Sequence, residues 1–453
     1  METQVSRFSI LMFPWLAHGH IFPFLELAKA ILHRKNLHIY LCSTSINFDS
    51  INKHALHGSI ELVEIHLEPS QDLPPDHLTT KNLPPSLMPS LLKAFQTSYT
   101  SFSDIISTLK PDLVLYDYFQ PWSAKIAASQ GIPAVHFSIY GATAYSLVHH
   151  KQTFGEAEVP FPGIKFEGHK LQEICDVLAS LCSIIHDLDD QDFLFGNIKQ
   201  SCDLVLMKTS RGVEGKYIDY LSTLSGKKIV PVGPLITHTT QNNQEQSYII
   251  EWLSKKSQHS TVFISFGSEY FLSKSEIEEI AKGLELCNAN FIWIIRFPLG
   301  ATVSLDEVLP EGFLERAGER GLVVTGWAPQ ADILGHQNLG CFVSHCGWSS
   351  CMESMYFGVA VVAMPMKIDQ PMNARMLVEA GSCVEVSRSE DGVFKGEDIG
   401  EAIRKVVEEE GGEELRRRAR GLSERLKREE GQVMDEAAEQ LWQLCLKKQT
   451  TRC

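Results

Sequence analysis

The chain reads as an α/β protein built from two Rossmann-like, doubly wound domains facing across a cleft, and three observations predict this. At 453 residues it exceeds what one hydrophobic core usually serves, since domains run at about 100–200 residues. Short β-rich apolar runs alternate with longer stretches that carry apolar residues at helical spacing, the pattern of a parallel sheet wrapped by helices. Near the middle, Gly233-Pro234 leads into the polar tract Thr237 to Ser247, whose low hydrophobicity and breaker residues mark a linker. Ligands of open α/β sheets bind outside the carboxyl ends of the strands, so two such sheets imply a cleft between them.

In chain order, the predicted strands of the first half are Phe8 to Phe13, Leu37 to Cys42, Ile60 to Leu67, Leu113 to Tyr116 and Ala134 to Phe137. Ile21 to His33 and Leu91 to Leu109 are predicted helices between them. The pattern weakens from about Lys151 to Gln200. It resumes with Asp203 to Met207, Val262 to Phe266, Phe291 to Ile295, Leu322 to Val324, Cys341 to Val343 and Val359 to Ala363. We therefore expect an N-terminal domain over 1–233 and a C-terminal domain over 234–430. A last amphipathic helix over 431–453 is expected to pack back toward the first domain.

The formal charge of -15 opposes binding to nucleic acid or anionic membranes, which draw affinity from clustered Lys and Arg. Arg416-Arg417-Arg418, Arg420, Arg425 and Lys427 interleave with Glu413, Glu414, Glu424, Glu429 and Glu430, which is a solvated helix face. The eleven cysteines are odd in number, scattered, and form no Cys-x-x-Cys pair, unlike a disulfide framework or a zinc site. A reducing compartment is expected. With neither a signal peptide nor a run of about 18 apolar residues, the expected location is the cytoplasm.

Chemistry concentrates in Trp327 to Gln370. His345 to Ser350 lies between a predicted strand and a predicted helix, where free backbone N–H groups and the hydroxyls of Ser349 and Ser350 suit a diphosphate. His345 adds a donor or a positive charge. Glu353, one turn on, can accept both hydroxyls of a ribose, and Trp327 offers a flat face on which a base can stack. Read singly, each has a plain structural alternative: a core tryptophan, a satisfied buried histidine, a helix cap.

With Trp-Ala-Pro-Gln at its start, His-Cys-Gly-Trp and Glu within, and Asp-Gln at its end, this segment resembles the signature box of plant UDP-sugar-dependent glycosyltransferases. The resemblance extends over nearly the whole chain and implies the fold type called GT-B. It also implies uracil on Trp327, ribose on Gln330 and Glu353, phosphates on His345 and Ser350, and the donor sugar on Trp348, Asp369 and Gln370, with Ala328 and Gly347 in the same set. Gly267-Ser268, after the strand Val262 to Phe266, is similar to a second phosphate contact, though alone such a glycine can simply turn the chain. Ser349 departs from the family's commoner Asn.

His20, in His18-Gly19-His20, follows the first strand and opens the first helix. An acceptor hydroxyl must lose a proton as it attacks an anomeric carbon, and histidine has the unperturbed pKa nearest neutrality. Asp117, ending another strand of the same sheet, can support the imidazolium. The resemblance implies the same roles, base for His20 and partner for Asp117, and an inverting direct transfer. His18 is the nearby alternative; Asp112 reads as a turn residue.

Asp187-Leu188-Asp189, with Asp190 and Asp192, fits the Asp-x-Asp pattern of metal-dependent transferases, but it lies in the weakly patterned region and reads as solvated surface. No metal or other cofactor is expected. A nicotinamide-dependent oxidoreductase would need Gly-x-Gly-x-x-Gly after an early strand, where only Gly19 stands. A nucleotide-sugar binder without activity would not need His20 and Asp117.

The resemblance further implies UDP-glucose as donor, because the box ends in Gln370. It implies a small-molecule glycoside as acceptor, because Phe13 to His20, Tyr116 to Trp122, Gly267 to Tyr270 and Ser349 look like the subgroup that adds sugar to sugar, with terpenoid and flavonoid carriers both open. Glu269 could accept hydrogen bonds from sugar hydroxyls; its alternatives are solvent exposure or capping the helix that starts near Ser273. Oligomeric state is not readable.

Overall fold

A computed structural model describes residues 7–54, 60–68, 72–155, 157–164, 166, 174, 193–237, 247–301, 303–408 and 410–452. Asp187 and Asp189, with their neighbours Asp190 and Asp192, lie outside the described residues, as do residues 238–246 of the expected linker. The chain forms two compact units. The first holds Met1–Val159, Glu167–Thr237 and Arg428–Cys453; the second holds Pro160–Phe166 and His238–Lys427.

Among the described residues of the first unit, seven parallel strands are β1 (Phe8–Phe13), β2 (Leu37–Ser43), β3 (Ile60–Glu64), β4 (Leu113–Tyr116), β5 (Ala134–Ser138), β6 (Leu204–Met207) and β7 (Lys228–Pro231). Their order is β3-β2-β1-β4-β5-β6-β7. The strands are apolar on both faces because helices cover both. On one face, Phe8, Leu37, Leu115 and Phe137 pack with Phe24 and Leu25 of the helix His18–Leu32 and with Ala437, Ala438 and Leu441 of the final helix. On the other, Phe13 stacks on Phe102 at 4.8 Å.

In the second unit the six parallel strands described are β8 (Thr261–Ser265), β9 (Asn290–Ile295), β10 (Gly321–Thr325), β11 (Leu339–Ser344), β12 (Val361–Ala363) and β13 (Cys383–Glu385), ordered β10-β9-β8-β11-β12-β13. In each sheet the order reverses once, between β1 and β4 in the first and between β8 and β11 in the second. The fold class is therefore the doubly wound one expected, and such reversals are where open α/β sheets hold ligands.

Several expected boundaries move. The predicted helix Leu91 to Leu109 is two helices, Met88–Gln96 and Tyr99–Leu109. At the break Thr97 donates to the Ala94 carbonyl and Ser98 to the Phe95 carbonyl, a competition with helix bonding that hydroxyl side chains commonly offer. The final helix spans Glu410–Arg452, so Gly431 lies inside it. Strands β7 and β13 are additions to the predicted set.

Candidate functional site

At the reversal of the first sheet, Phe13 of β1 is in register with Tyr116 of β4, which brings the residues beyond both strands together. Asp117 follows β4 and is fully buried. Its Oδ2 accepts from the Trp15 backbone N–H at 3.0 Å and lies 2.6 Å from His20 Nδ1; its Oδ1 accepts from the Tyr118 N–H at 2.6 Å. Burial pushes this carboxyl up, but the positive charge and hydrogen bond of His20 and the two backbone N–H groups outweigh it and hold the pKa below its ordinary value. An ionised carboxylate only accepts, so the Nδ1 of His20 carries a proton toward it, and Nε2 is the ring nitrogen left to exchange one. The chain reaches this geometry because Pro14 ends β1 and the helix begins at His18.

Around His20, Phe119 and Tyr140 stand with ring centroids at 5.7 and 5.8 Å, and Tyr118 packs on both. His18 is also buried and packs on Phe22 at 4.9 Å, whereas it is His20 that meets the carboxylate. Asp112 accepts from the Ser9 N–H at 2.9 Å; it ties the start of β4 to β1, a sheet anchor where a turn residue was expected.

In the second unit, Gly267 and Ser268 follow β8, and His345 follows β11. The His345 ring lies between two glycines: a Cβ on Gly267 would sit 2.7 Å from Nε2, and one on Gly347 would sit 2.6 Å from it. Gly267 also has φ +78, open to glycine and strained for other residues. Burial, assisted by the charge of Lys367 and opposed by the Ser265 carbonyl, lowers the His345 pKa to about 4. Of the two options left by the sequence, the neutral N–H donor is thus the one present near pH 7.

The helix Trp348–Phe357 starts at Gly347, which as N-cap offers no side chain. The first helical bond runs from the Cys351 N–H to the Gly347 carbonyl, so the N–H groups of Trp348, Ser349 and Ser350 have no carbonyl within the helix to bond. Trp348 is only 3% exposed. Gln330 donates to Glu353 Oε2 at 2.6 Å and to Ser350 Oγ at 3.3 Å, joining the two expected ribose residues to an expected phosphate residue. Ala328 is buried.

Trp327 is 43% exposed, which disposes of the core-anchor alternative. The Arg296 guanidinium lies 5.0 Å from its ring centroid, at the same end of neighbouring strands, since Thr325 of β10 pairs Ile295 of β9. Gln370 accepts from the Met366 and Lys367 N–H groups, both at 2.9 Å, through Oε1. Its amino end is therefore the part available to donate. Asp369 Oδ2 accepts from Asn373 Nδ2 at 2.7 Å. Glu269 is exposed, and the cap it could have supplied is filled by Ser273 with Glu276. Among the described residues no group of three or more His, Cys, Asp or Glu could hold a metal ion, and no helix is long and apolar enough to cross a membrane.

Sequence reasoning missed Arg296 and Asn373. A charged residue directly after the apolar strand Phe291 to Ile295 was a readable signal; Asn373, three residues beyond the box, carried none.

Two parallel sheets, each with residues suited to a ligand at its reversal, define a two-part transferase of the nucleotide-sugar kind, and the comparisons agree. Residues 229–417 match the family described as UDP-glucoronosyl and UDP-glucosyl transferase. The chain is 47% identical over 450 residues to UDP-glucosyltransferase 29 of Panax ginseng, covering 99% of each. It is 44% identical over 442 residues to the beta-D-glucosyl crocetin beta-1,6-glucosyltransferase of Gardenia jasminoides, covering 96% of this chain and 98% of that one. A solved UDP-glucosyltransferase from Polygonum tinctorium shares the fold, with TM-score 0.79 at 24% identity over 98% of this chain and 99% of that one. The chain belongs to the plant UDP-sugar-dependent glycosyltransferases and has their GT-B fold.

Proposed function

We propose that this enzyme transfers glucose from UDP-glucose to a hydroxyl of a small-molecule plant glycoside, with inversion, and that His20 is the catalytic base. The observation that carries the reading is the His20–Asp117 pair: a buried carboxylate with three donors directed at it fixes one tautomer and leaves Nε2 to take a proton. As the acceptor oxygen bonds to the anomeric carbon, its proton passes to Nε2 and the bond to the UDP oxygen breaks. Asp117 stabilises the imidazolium formed, and UDP leaves with the electron pair.

The second unit binds the donor. Uracil stacks on Trp327 beside Ala328, Gln330 and Glu353 hold the ribose, and His345, Ser350, Gly267, Ser268 and the N–H groups opening the helix at Gly347 receive the diphosphate. Trp348, Ser349, Asp369 and Gln370 face the sugar. Fixed N–H donors aimed at developing negative charge supply what a cation supplies in other transferases, so transfer proceeds without metal and survives EDTA. Manganese-dependent recovery after chelation would instead promote Asp187 and Asp189 to ligands.

Glucose rests on Gln370 and on the ginseng relative's name; the glycoside acceptor rests on the crocetin glucoside named for the Gardenia relative. Tyr118, Phe119 and Tyr140 around His20 combine ring faces with hydroxyls, a surface suited to a sugar ring. The cysteines described, all free thiols, fit a reducing cytoplasm. The test is UDP release with UDP-glucose and paired acceptors, each aglycone against its monoglucoside at equal concentration. Faster turnover of the glucosides is expected, and faster turnover of the aglycones throughout would reject the acceptor reading.

A further inference from the structure

We infer that Asn373 is a positioning residue that locks the diphosphate loop to the donor-sugar carboxylate; this rests on the assignment of His345 to Ser350 and Asp369 to the donor. Asn373 is fully buried in the first turn of the helix Gln370–Glu379. Its Nδ2 donates to the Cys346 carbonyl at 3.0 Å and to Asp369 Oδ2 at 2.7 Å. Both partners are acceptors, so the amide cannot be turned over: its oxygen would then face two oxygens. The Oδ1 left over is buried and has no hydrogen-bond partner among the described residues. A buried acceptor left unmade costs free energy, and what is gained is two donors on one nitrogen.

Each bond fixes something a donor needs. Cys346 has φ 62, an uncommon conformation for a residue with a side chain. It is held from both sides, its N–H by Ser344 Oγ at 3.1 Å and its carbonyl by Asn373. In a trans peptide the C=O and the next N–H point in opposite directions, so anchoring this carbonyl sets the direction of the Gly347 N–H at the helix start. The second bond sets the rotamer of Asp369, which is itself the N-cap of the helix bearing Asn373. One amide nitrogen therefore registers the loop after β11 against the loop after β12, and with it the sugar against its diphosphate.

The experiment compares Asn373→Ala with the unsubstituted enzyme, by the KM and kcat for UDP-glucose and by the Kd for UDP, which lacks the sugar. The expected result is a UDP-glucose KM raised at least about tenfold, a smaller loss for UDP, and a lower kcat. Equal losses for the two ligands, or an unchanged KM, would overturn the inference. Should this variant fail to fold, Asn373→Asp keeps the side chain's size. It sets two carboxylates side by side, which favours sharing one proton; Cys346, beside them, interacts with Asp369, Cys351, Cys383 and Glu385, and Arg375 pairs with Glu385 at 3.1 Å. Relative to the unsubstituted enzyme its KM for UDP-glucose should rise from pH 5.5 to pH 8 as that proton is lost, and parallel profiles would overturn the role. Asp369→Ala separates the two levels: unchanged donor KM there would reject the donor assignment itself, whatever Asn373 does.

Discussion

The reversal of the first sheet, between β1 and β4, holds a histidine bonded to a buried carboxylate, whereas the reversal of the second, between β8 and β11, holds a neutral histidine between two glycines. The topology is the same and the electrostatics differ. Asp117 keeps its charge through His20 and two backbone N–H groups, so the imidazole faces a carboxylate. Among the described residues no carboxylate pairs with His345, which burial holds near 4, an environment that resists a proton. A proton-accepting site needs the first; a site for a diphosphate, already supplied with N–H donors, works with the second. The comparison teaches that position at a sheet reversal says where a ligand goes, and the local donors say what is done to it.

The largest effect expected from breaking this contrast is in the first unit. His20→Ala should lower kcat by at least about 10²-fold, the usual scale for a general base, and near-normal turnover would remove His20 from the mechanism. Next comes Gly267→Ala, which combines a strained φ with a methyl 2.7 Å from the His345 ring. It should raise the UDP-glucose KM about tenfold or more while kcat changes little. A KM within twofold of normal would show that the ring's seat between the glycines does not matter.

Asp117→Asn should cost about tenfold in kcat by weakening support for the imidazolium, and an unaltered kcat would tell against the pair. Smaller still is the change expected from Arg296→Met. A cation over an exposed indole contributes about 0.5–1 kcal/mol, so the donor KM should rise roughly two- to fivefold at constant kcat. No change in KM would leave Arg296 as packing alone. On pH, His345 protonates only near 4, so UDP-glucose affinity should be flat between pH 6 and pH 8. Affinity that climbed on acidification across that range would mean the ring binds as imidazolium.

What was legible in the sequence followed from strength of pattern. Phe291 to Ile295 is a continuous apolar run, and Val262 to Phe266 is broken only by Ser265, because their strands are buried on both faces, and each lies within a residue of its observed end. Lys228–Pro231 and Cys383–Glu385 are short and lie at sheet edges, where a lysine, a proline or a glutamate is tolerated and the apolar signal fades. The side chains to which we assign the chemistry, His20, Asp117, His345 and Glu353, could be named because each stands just beyond a strand or in the first turns of a helix. Their supports could not be. Asn373 touches Cys346 across 27 positions of sequence, and Arg296 meets Trp327 only because β9 and β10 pair; contacts of that kind exist after folding and leave no local mark.

The division of labour between the units is tested most directly by calorimetric titration of UDP-glucose, without acceptor, into His20→Ala and Gly267→Ala side by side. Near-normal affinity is predicted for His20→Ala, and affinity weakened about tenfold or more for Gly267→Ala. Loss of donor binding in His20→Ala, or its retention in Gly267→Ala, would contradict the account.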